Sequence, residues 1–429
     1  MRLAVELSGT VVGTLTGDVR SFDFIPSAAG IERFGTNSTA LSVTLPLTPT
    51  QRKDLAGRRR NWFSELLPEG DQYDFMLAQG GLRRGDTLGF LARYGRDVAG
   101  ALQLWDVDDP TEPRIPALRS LAEKDIRALL EDPVRSPLAN DREAGKSSLG
   151  GVQPKVVLVR TGESWSQSLG GYPTTHILKP QLSGRHHSVI FDEEYGARIS
   201  RRMGLAEFDA SVEDFDGLKA LVIERFDRDS NGRVHQEDFS QALGASGNQK
   251  YQSMGGVVSL HRIAQTLQKF APRPELIRFA RYVVLAVGIG NLDMHTKNIG
   301  LIHSGSGDVS LAPAYDVVPQ AHLSNDGELA LAVNRTYRHA SVTREDLIAE
   351  FSSWRLRQVE RIIDDALDEL IESATSEVPL PGAFSDLQAQ IVLHRLRRRH
   401  RGTAPHPVRQ HMPSLEDHLV GMRRAVLAI

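Results

Sequence analysis

The stretch GNLDMHTKNIGLI, residues 290–302, sets Asp293, His295, Lys297 and Asn298 within six positions. It follows the apolar run YVVLAVGIG and leads into a strand-like segment. Polar groups held between two buried elements have partners or a task. Downstream, NIGLIHSGSGDVSLAPAYDVV reads as two strands around the turn SGSGD, followed by Asp316. A hairpin returns the chain, so Asp316 is expected beside Asn298 at one end of a small sheet. Asn298 and Asp316 offer two oxygens which, with water and phosphate, make the partial shell that Mg²⁺ prefers. Asp293, one turn away, is placed to accept a proton from an attacking hydroxyl.

The Asp–x4–Asn spacing from Asp293 to Asn298 matches the protein-kinase catalytic loop, and an Asp after a hairpin matches that fold's second metal ligand. Phosphotransfer also needs a nucleotide cradle. Upstream, AGKSSLGGVQPKVVLV is a small-residue loop feeding a strand, and Gly150 and Gly151 let backbone N–H groups approach phosphate closely. Neither the Walker pattern nor the kinase Gly-rich loop is present, so a tight hairpin is an equally simple reading of these residues. Lys179 closes the apolar strand THILKP; it is either a solvated strand end or a point charge for phosphate. In KALVIERFDRD an apolar strand breaks into charge at Glu224, which suits a hinge whose backbone pairs with adenine.

Bulk properties narrow the class. With 429 residues, 40% hydrophobic and 24% charged, the chain is long enough for several subdomains around large cores. A net charge of −3 gives no global drive toward nucleic acid or anionic membranes. The absence of cysteine excludes disulfides, thiolate zinc sites and cysteine nucleophiles. No signal peptide or membrane span is legible, so a cytoplasmic protein is expected.

Along the chain, LAVEL and VVGTL flank the hairpin signal Ser8-Gly9-Thr10, and ALSVTLPL alternates like a strand. FSELLPEGDQYDFMLAQ reads as one helical insertion and VAGALQLW as a closing strand. These make a β-rich N-terminal subdomain over residues 1–107. In SLAEKDIRALLED, Ser120 and Glu123 form a capping-box pattern. KVVLV, THILKP and KALVIERF read as strands, interrupted by a helix from Ser188 to Met203 that Gly204 closes. Residues 108–254 are thus a nucleotide-loop and hinge region. Residues 255–429 read as a helical C-terminal lobe carrying the catalytic loop, with VERIIDDALDELIE as one of its helices.

Taken together, the chain resembles the HipA family of serine/threonine-protein kinases, toxins of HipBA toxin–antitoxin modules. FSELLPEG and LGFLARYGRDVAGALQL resemble its N-terminal subdomain; SSLGGVQPK, HILKP, VIERFDR, HQEDFSQALG, NLDMHTKNIG and LAPAYDVVP resemble its kinase core, in order. The resemblance implies an α+β, bilobal kinase-like fold of the lipid-kinase-like branch, with a β-rich N-terminal subdomain and a helical C-terminal lobe. It implies ATP and Mg²⁺ as cofactors, Asp293 as catalytic base, and Asn298 and Asp316 as metal ligands. Lys179 matches the phosphate-binding lysine. Gly150, Gly151, Val152, Gln153, Pro154 and Lys155 match the triphosphate loop, and Glu224, Arg225 and Phe226 the adenine hinge. His295 and Tyr315 fall at nucleotide-proximal positions; a purely structural hydrogen bond is an equal reading of His295. Ser148 matches the serine this family autophosphorylates, with Ser147 as the neighbouring alternative. The implied partners are a HipB-type helix-turn-helix antitoxin, DNA mainly through that antitoxin, and a protein substrate such as an aminoacyl-tRNA synthetase, with no membrane.

Two other classes stay open on the residues alone. One is a small-molecule kinase, because D-x-H-x-x-N loops also occur in sugar and aminoglycoside kinases. The other is a nucleotide-binding but catalytically silent regulator. The basic run HRLRRRHR, residues 394–401, reads as a solvated helix face or as a dock for an acidic partner or nucleic acid. His186-His187 lacks any metal-ligand spacing.

Overall fold

The structure is a computed structural model that describes residues 1–112, 114–140, 144–305 and 307–391; the basic run 394–401 lies outside them. The N-terminal unit is built on an antiparallel sheet ordered β3-β2-β1-β4: β1 (Arg2–Leu7), β2 (Thr10–Gly17), β3 (Phe22–Pro26) and β4 (Leu102–Asp106). Ser8 and Gly9 both adopt positive φ, the mirror-image turn that matches strand twist in a two-residue hairpin. Four helices cover the sheet: α1 (Ala28–Phe34), α2 (Ala56–Ser64), α3 (Gly70–Gly80) and α4 (Thr87–Tyr94). Trp62, Phe63, Phe90 and Tyr94 fill the core between them.

Three expectations for this half need correction. ALSVTLPL is not a strand, because its polar groups turn elsewhere. The Ser42 hydroxyl and Val43 N–H both donate to the Glu237 carboxylate, at 2.6 and 2.8 Å, and His235 Nε2 meets Leu41 O at 2.8 Å. The helical insertion is two helices broken over residues 65–69, where Pro68 disfavours helical φ/ψ at Leu67. Ser120 is not a cap. It lies in strand β5 (Ala117–Leu121), and the Asp125 carboxylate instead accepts the Ala122 N–H at 2.9 Å ahead of α5 (Glu123–Glu131).

The second sheet is antiparallel in the order β5-β7-β6-β8-β10-β9, with β6 (Val156–Thr161), β7 (Ser164–Leu169), β8 (His176–Pro180), β9 (Ala210–Phe215) and β10 (Leu218–Glu224). Helix α5 packs on one face with Ile126 and Leu130. Helix α6 (Val189–Arg202) buries Ile190 and Phe191 against Leu221 of β10. A short hairpin, β11 (Arg228–Asp229) with β12 (Gly232–Arg233), leads out of the sheet.

The third region centres on α9 (Arg273–Ile289), buried along most of its length and flanked by α8 (Leu260–Phe270), α10 (Arg344–Ser353) and α11 (Val359–Ser376). In front of it stands a three-stranded sheet of β13 (His235–Asp238), β14 (Gly300–His303) and β15 (Val309–Leu311), with α7 (Phe239–Leu243) capped by Asp238. A hairpin of β16 (Glu328–Val333) and β17 (Thr336–Arg338) completes it. Among the described residues no helix is long and apolar enough to cross a membrane.

Candidate active site

Helix α9 ends at Gly290, whose φ of +74° turns the chain into the loop of residues 291–298. A Cβ there would lie 2.6 Å from Ala321 Cβ, so both the φ and the space call for glycine. The loop then folds on itself. The His295 N–H donates to Asp293 O at 2.7 Å, and the Asn298 side-chain amide donates to the same oxygen at 3.0 Å. Asn298 therefore spends its Nδ2 on the loop, and its Oδ1 accepts no hydrogen bond among the described residues. The Asp293 carboxylate is 41% exposed and accepts the Tyr251 hydroxyl at 3.1 Å on Oδ1. His295 is buried edge-on against the Tyr251 ring, and that burial holds its imidazole below the ordinary histidine value.

The β14–β15 hairpin pairs Leu301 with Leu311 and returns the chain to the same end of the sheet. The Tyr315 hydroxyl donates to Lys297 O at 2.8 Å, and the Tyr282 hydroxyl of α9 donates to Asn298 O at 3.0 Å. Asp316 follows with φ +54°, a left-handed conformation uncommon outside glycine and typical of constrained sites. Its Oδ1 lies 2.6 Å from Lys179 Nζ, and the same ammonium donates to Glu193 Oε1 at 2.7 Å. Burial pulls the Lys179 ammonium down, but the two carboxylates more than offset this and lift it above the ordinary lysine value. Burial would also lift Asp316, yet Lys179 holds it well below the usual aspartate range. Glu193 sits deeper; burial, reinforced by the neighbouring Asp316, pushes it up to about 7 despite Lys179.

Above this triad lies the loop of residues 147–155. Lys155 Nζ donates to Gly150 O at 2.8 Å, and burial, with Lys179 nearby, brings its ammonium down to about 8. The Gln153 side-chain nitrogen is buried with no partner. Gly151 has φ +108°, and its carbonyl accepts the Glu69 N–H at 3.2 Å, so the N-terminal unit abuts the loop. Val152 packs beside Gly70, and Pro154 precedes Lys155 at the start of β6. Neither candidate phosphoacceptor is exposed. The Ser148 hydroxyl donates to Leu66 O at 2.8 Å, and the Ser147 hydroxyl to Asp97 at 3.2 Å.

The hinge residues divide. Glu224 is exposed and its N–H donates to Asp209 O at 2.8 Å; the Arg225 N–H donates to Thr175 O at 2.9 Å. The Arg225 guanidinium turns away from the cleft and grips the Asp227 carboxylate at 2.9 and 2.8 Å. Phe226 stacks on Tyr315 with centroids 5.2 Å apart, and its N–H donates to no backbone carbonyl of the described residues.

Residues 3–105 match the family profile of the HipA N-terminal domain, and residues 147–378 that of the HipA-like C-terminal domain. The chain belongs to the HipA family. It is 32% identical over 330 residues to the "Putative kinase Y4mE" of Sinorhizobium fredii, covering 74% of this chain and 76% of that one. To the serine/threonine-protein kinase toxin HipA of Shewanella oneidensis it is 26% identical over 372 residues, covering 81% and 82%. The fold matches HipA in the Shewanella oneidensis complex of HipA, HipB and operator DNA, with a TM-score of 0.74, 23% identity, and 92% and 95% of the two chains covered. This is a HipA-type kinase with an α+β, kinase-like fold.

Sequence reasoning missed several groups around the HipA-type site. Glu193 was hidden in DEEYGARIS, where Asp192, Glu193 and Glu194 are all buried; a run of acids on an otherwise apolar helix was the available signal. Tyr251 carried no signal. Lys297 stood in the opening motif without a role. Its ammonium meets Glu65 at 2.8 Å and Glu69 at 3.6 Å, both from the N-terminal unit, and Lys250 meets Glu69 at 2.8 Å.

Proposed function

We propose that this chain transfers the γ-phosphoryl group of ATP to a serine or threonine hydroxyl of a protein. The observation that carries this reading is the Lys179 ammonium shared by Glu193 and Asp316. Kinases hold their phosphate-binding lysine with such a helix-borne glutamate and place a metal-binding aspartate beside it. Asp293, exposed and fixed by Tyr251, would accept the proton of the attacking hydroxyl. Lys155, Lys179 and the N–H groups of residues 150–153 would hold the triphosphate, the buried Gln153 side-chain amide being a further donor without a partner among the described residues. Adenine would pair with the free Phe226 N–H, alongside the Phe226–Tyr315 stack. Catalysis of this kind is mostly positioning and charge stabilisation.

The donor set also fits a magnesium ion. Among the described residues Asn298 Oδ1 accepts no hydrogen bond, Asp316 keeps one oxygen clear of Lys179, and both are hard oxygen donors. Bound there, Mg²⁺ would neutralise charge on the phosphates. Among the described residues no group of three or more His, Asp or Glu could hold a metal, which suits an ion completed by phosphate and water rather than an all-protein cage.

The Shewanella oneidensis relative is named a toxin, and the family resemblance extends the reading to a toxin that acts on a translation component such as an aminoacyl-tRNA synthetase. It extends also to a HipB-type helix-turn-helix antitoxin as partner, and to DNA reached through it. Ser148, with Ser147 as the alternative, is the expected autophosphorylation site. Incubating the protein with labelled ATP and a cell lysate, against an Asp293→Ala control, tests the whole reading. Label on protein serine or threonine is the expected result. Label on a small metabolite, or none, would overturn it.

A further inference from the structure

Away from the nucleotide cleft, a cavity of about 410 Å³ opens at the start of α6. Three stretches of chain wall it: Arg185 to Ser188 ahead of the helix, His322 to Ser324 beyond Asp316, and Ala383 to Ser385. Its lining side chains are mostly hydrogen-bond donors. A guanidinium and three imidazoles line it together with three serine hydroxyls, and no lining side chain is a carboxylate. Arg185 donates only to the neighbouring His186 ring, at 3.2 Å, and has no acidic partner among the described residues. The amino end of the 14-residue helix α6 faces the same space, and its N-cap Ser188 makes no side-chain capping bond. The positive end of the helix dipole is thus left to whatever enters.

The back of the cavity is ordered. His322 is only 3% exposed and lies flat on Phe384, with ring centroids 4.2 Å apart. Among the described residues neither its Nε2 nor Asp192 Oδ2, 3.2 Å apart, makes a hydrogen bond; the other Asp192 oxygen accepts the Phe384 N–H at 2.9 Å. A buried polar nitrogen with no hydrogen bond is costly unless the site is completed by another group. Asp192 immediately precedes Glu193, so this cavity and the Lys179 ion pair share one helical turn.

We propose that this cavity binds a phosphate dianion. Several donors of different kinds, converging from three segments with a helix N-terminus, suit a dianion with three terminal oxygens better than a single carboxylate. The shared chemistry is a phosphoryl group, carried on a phosphoserine side chain of a protein or present as free phosphate. The cavity lies where the segment after Asp316 meets helix α6, which bears Glu193.

Binding is measured without any turnover, so its outcome is independent of whether the cleft phosphorylates protein. Inorganic phosphate and O-phosphoserine are titrated by calorimetry into the full chain saturated with ADP, and into Arg185→Gln/His187→Gln; both substituted side chains are exposed, so folding is unaffected. Saturable binding to the wild type, weakened about tenfold or more in the double variant, is the expected result. Tighter binding of O-phosphoserine identifies a phosphorylated side chain as the occupant; equal binding identifies free phosphate. Both support the site. No saturable binding by the wild type, or equal affinity in the variant, overturns it.

Discussion

Deleting the Asp293 carboxylate removes the exposed acceptor of the 291–298 loop while leaving its backbone bonds in place, since Asn298 and His295 both donate to the Asp293 carbonyl. Asp293→Ala is therefore expected to stay folded and to lose phosphotransfer by about 10²-fold or more. Asp316→Ala should behave alike, because Lys179 retains Glu193 as a partner. Unchanged circular dichroism with near-wild-type transfer in either variant would refute the assignment. Lys155 gives a pH-dependent counterpart. Its ammonium is half neutral at about pH 8 in the free protein, against an ordinary lysine value of 10.5. A triphosphate favours the charged form, so ATP binding at pH 8–9 should take up a proton, and uptake should fade below pH 7, where Lys155 is already charged. Calorimetry in buffers of different ionisation enthalpy reads this directly, and Lys155→Met should abolish it. The clustering of Asp293, Asn298, Asp316 and Lys179 was legible because residue type and hairpin spacing carry it. Glu193 and Tyr251 were not, because their partners are chosen by packing between distant segments.

At the scale of elements, the loop between α5 and β6 holds the sharpest consequence. Both Ser147 and Ser148 donate their hydroxyls inward, and Ser148 is fully buried against Leu66. A phosphoserine carries about −1.5 to −2 charges, and the fully buried position of Ser148 has no room for its phosphate. Phosphorylated protein should therefore show the peptide spanning residues 145–155 exchanging amide hydrogens much faster than the unmodified form, with ATP affinity lost. Peptide mapping beside the Asp293→Ala variant checks it; a phosphorylated loop that stays protected would contradict it. Element types were legible where alternation or helical spacing was strong, as in β1, β2, β8, β10 and α11. They failed at ALSVTLPL, whose bonding groups are taken by Glu237 and His235, and at β7 and β9, where serines and acids mask the pattern.

Across the whole molecule, Glu237 ties the N-terminal unit to the small sheet of β13, β14 and β15. Fully buried, it accepts Ser42, Val43 and the Trp62 indole at 2.7 Å from the N-terminal unit, and His303 at 3.0 Å from the small sheet. Glu237→Ala strands these donors and should cost about 3–5 kcal/mol. Chemical denaturation should then show both units lost in one earlier transition; two separated transitions would mean that they hold themselves up independently. The N-terminal core reaches into the rest of the protein through Leu138 and Val157. The Lys179–Asp316 contact spans 137 residues, and Lys297 to Glu65 spans 232. A chain leaving the ribosome therefore carries residues 147–155 and 224–226 for several seconds before Asp316 exists. During that interval Lys179 has no Asp316 to pair with, and the proposed site is complete only once synthesis has passed residue 316.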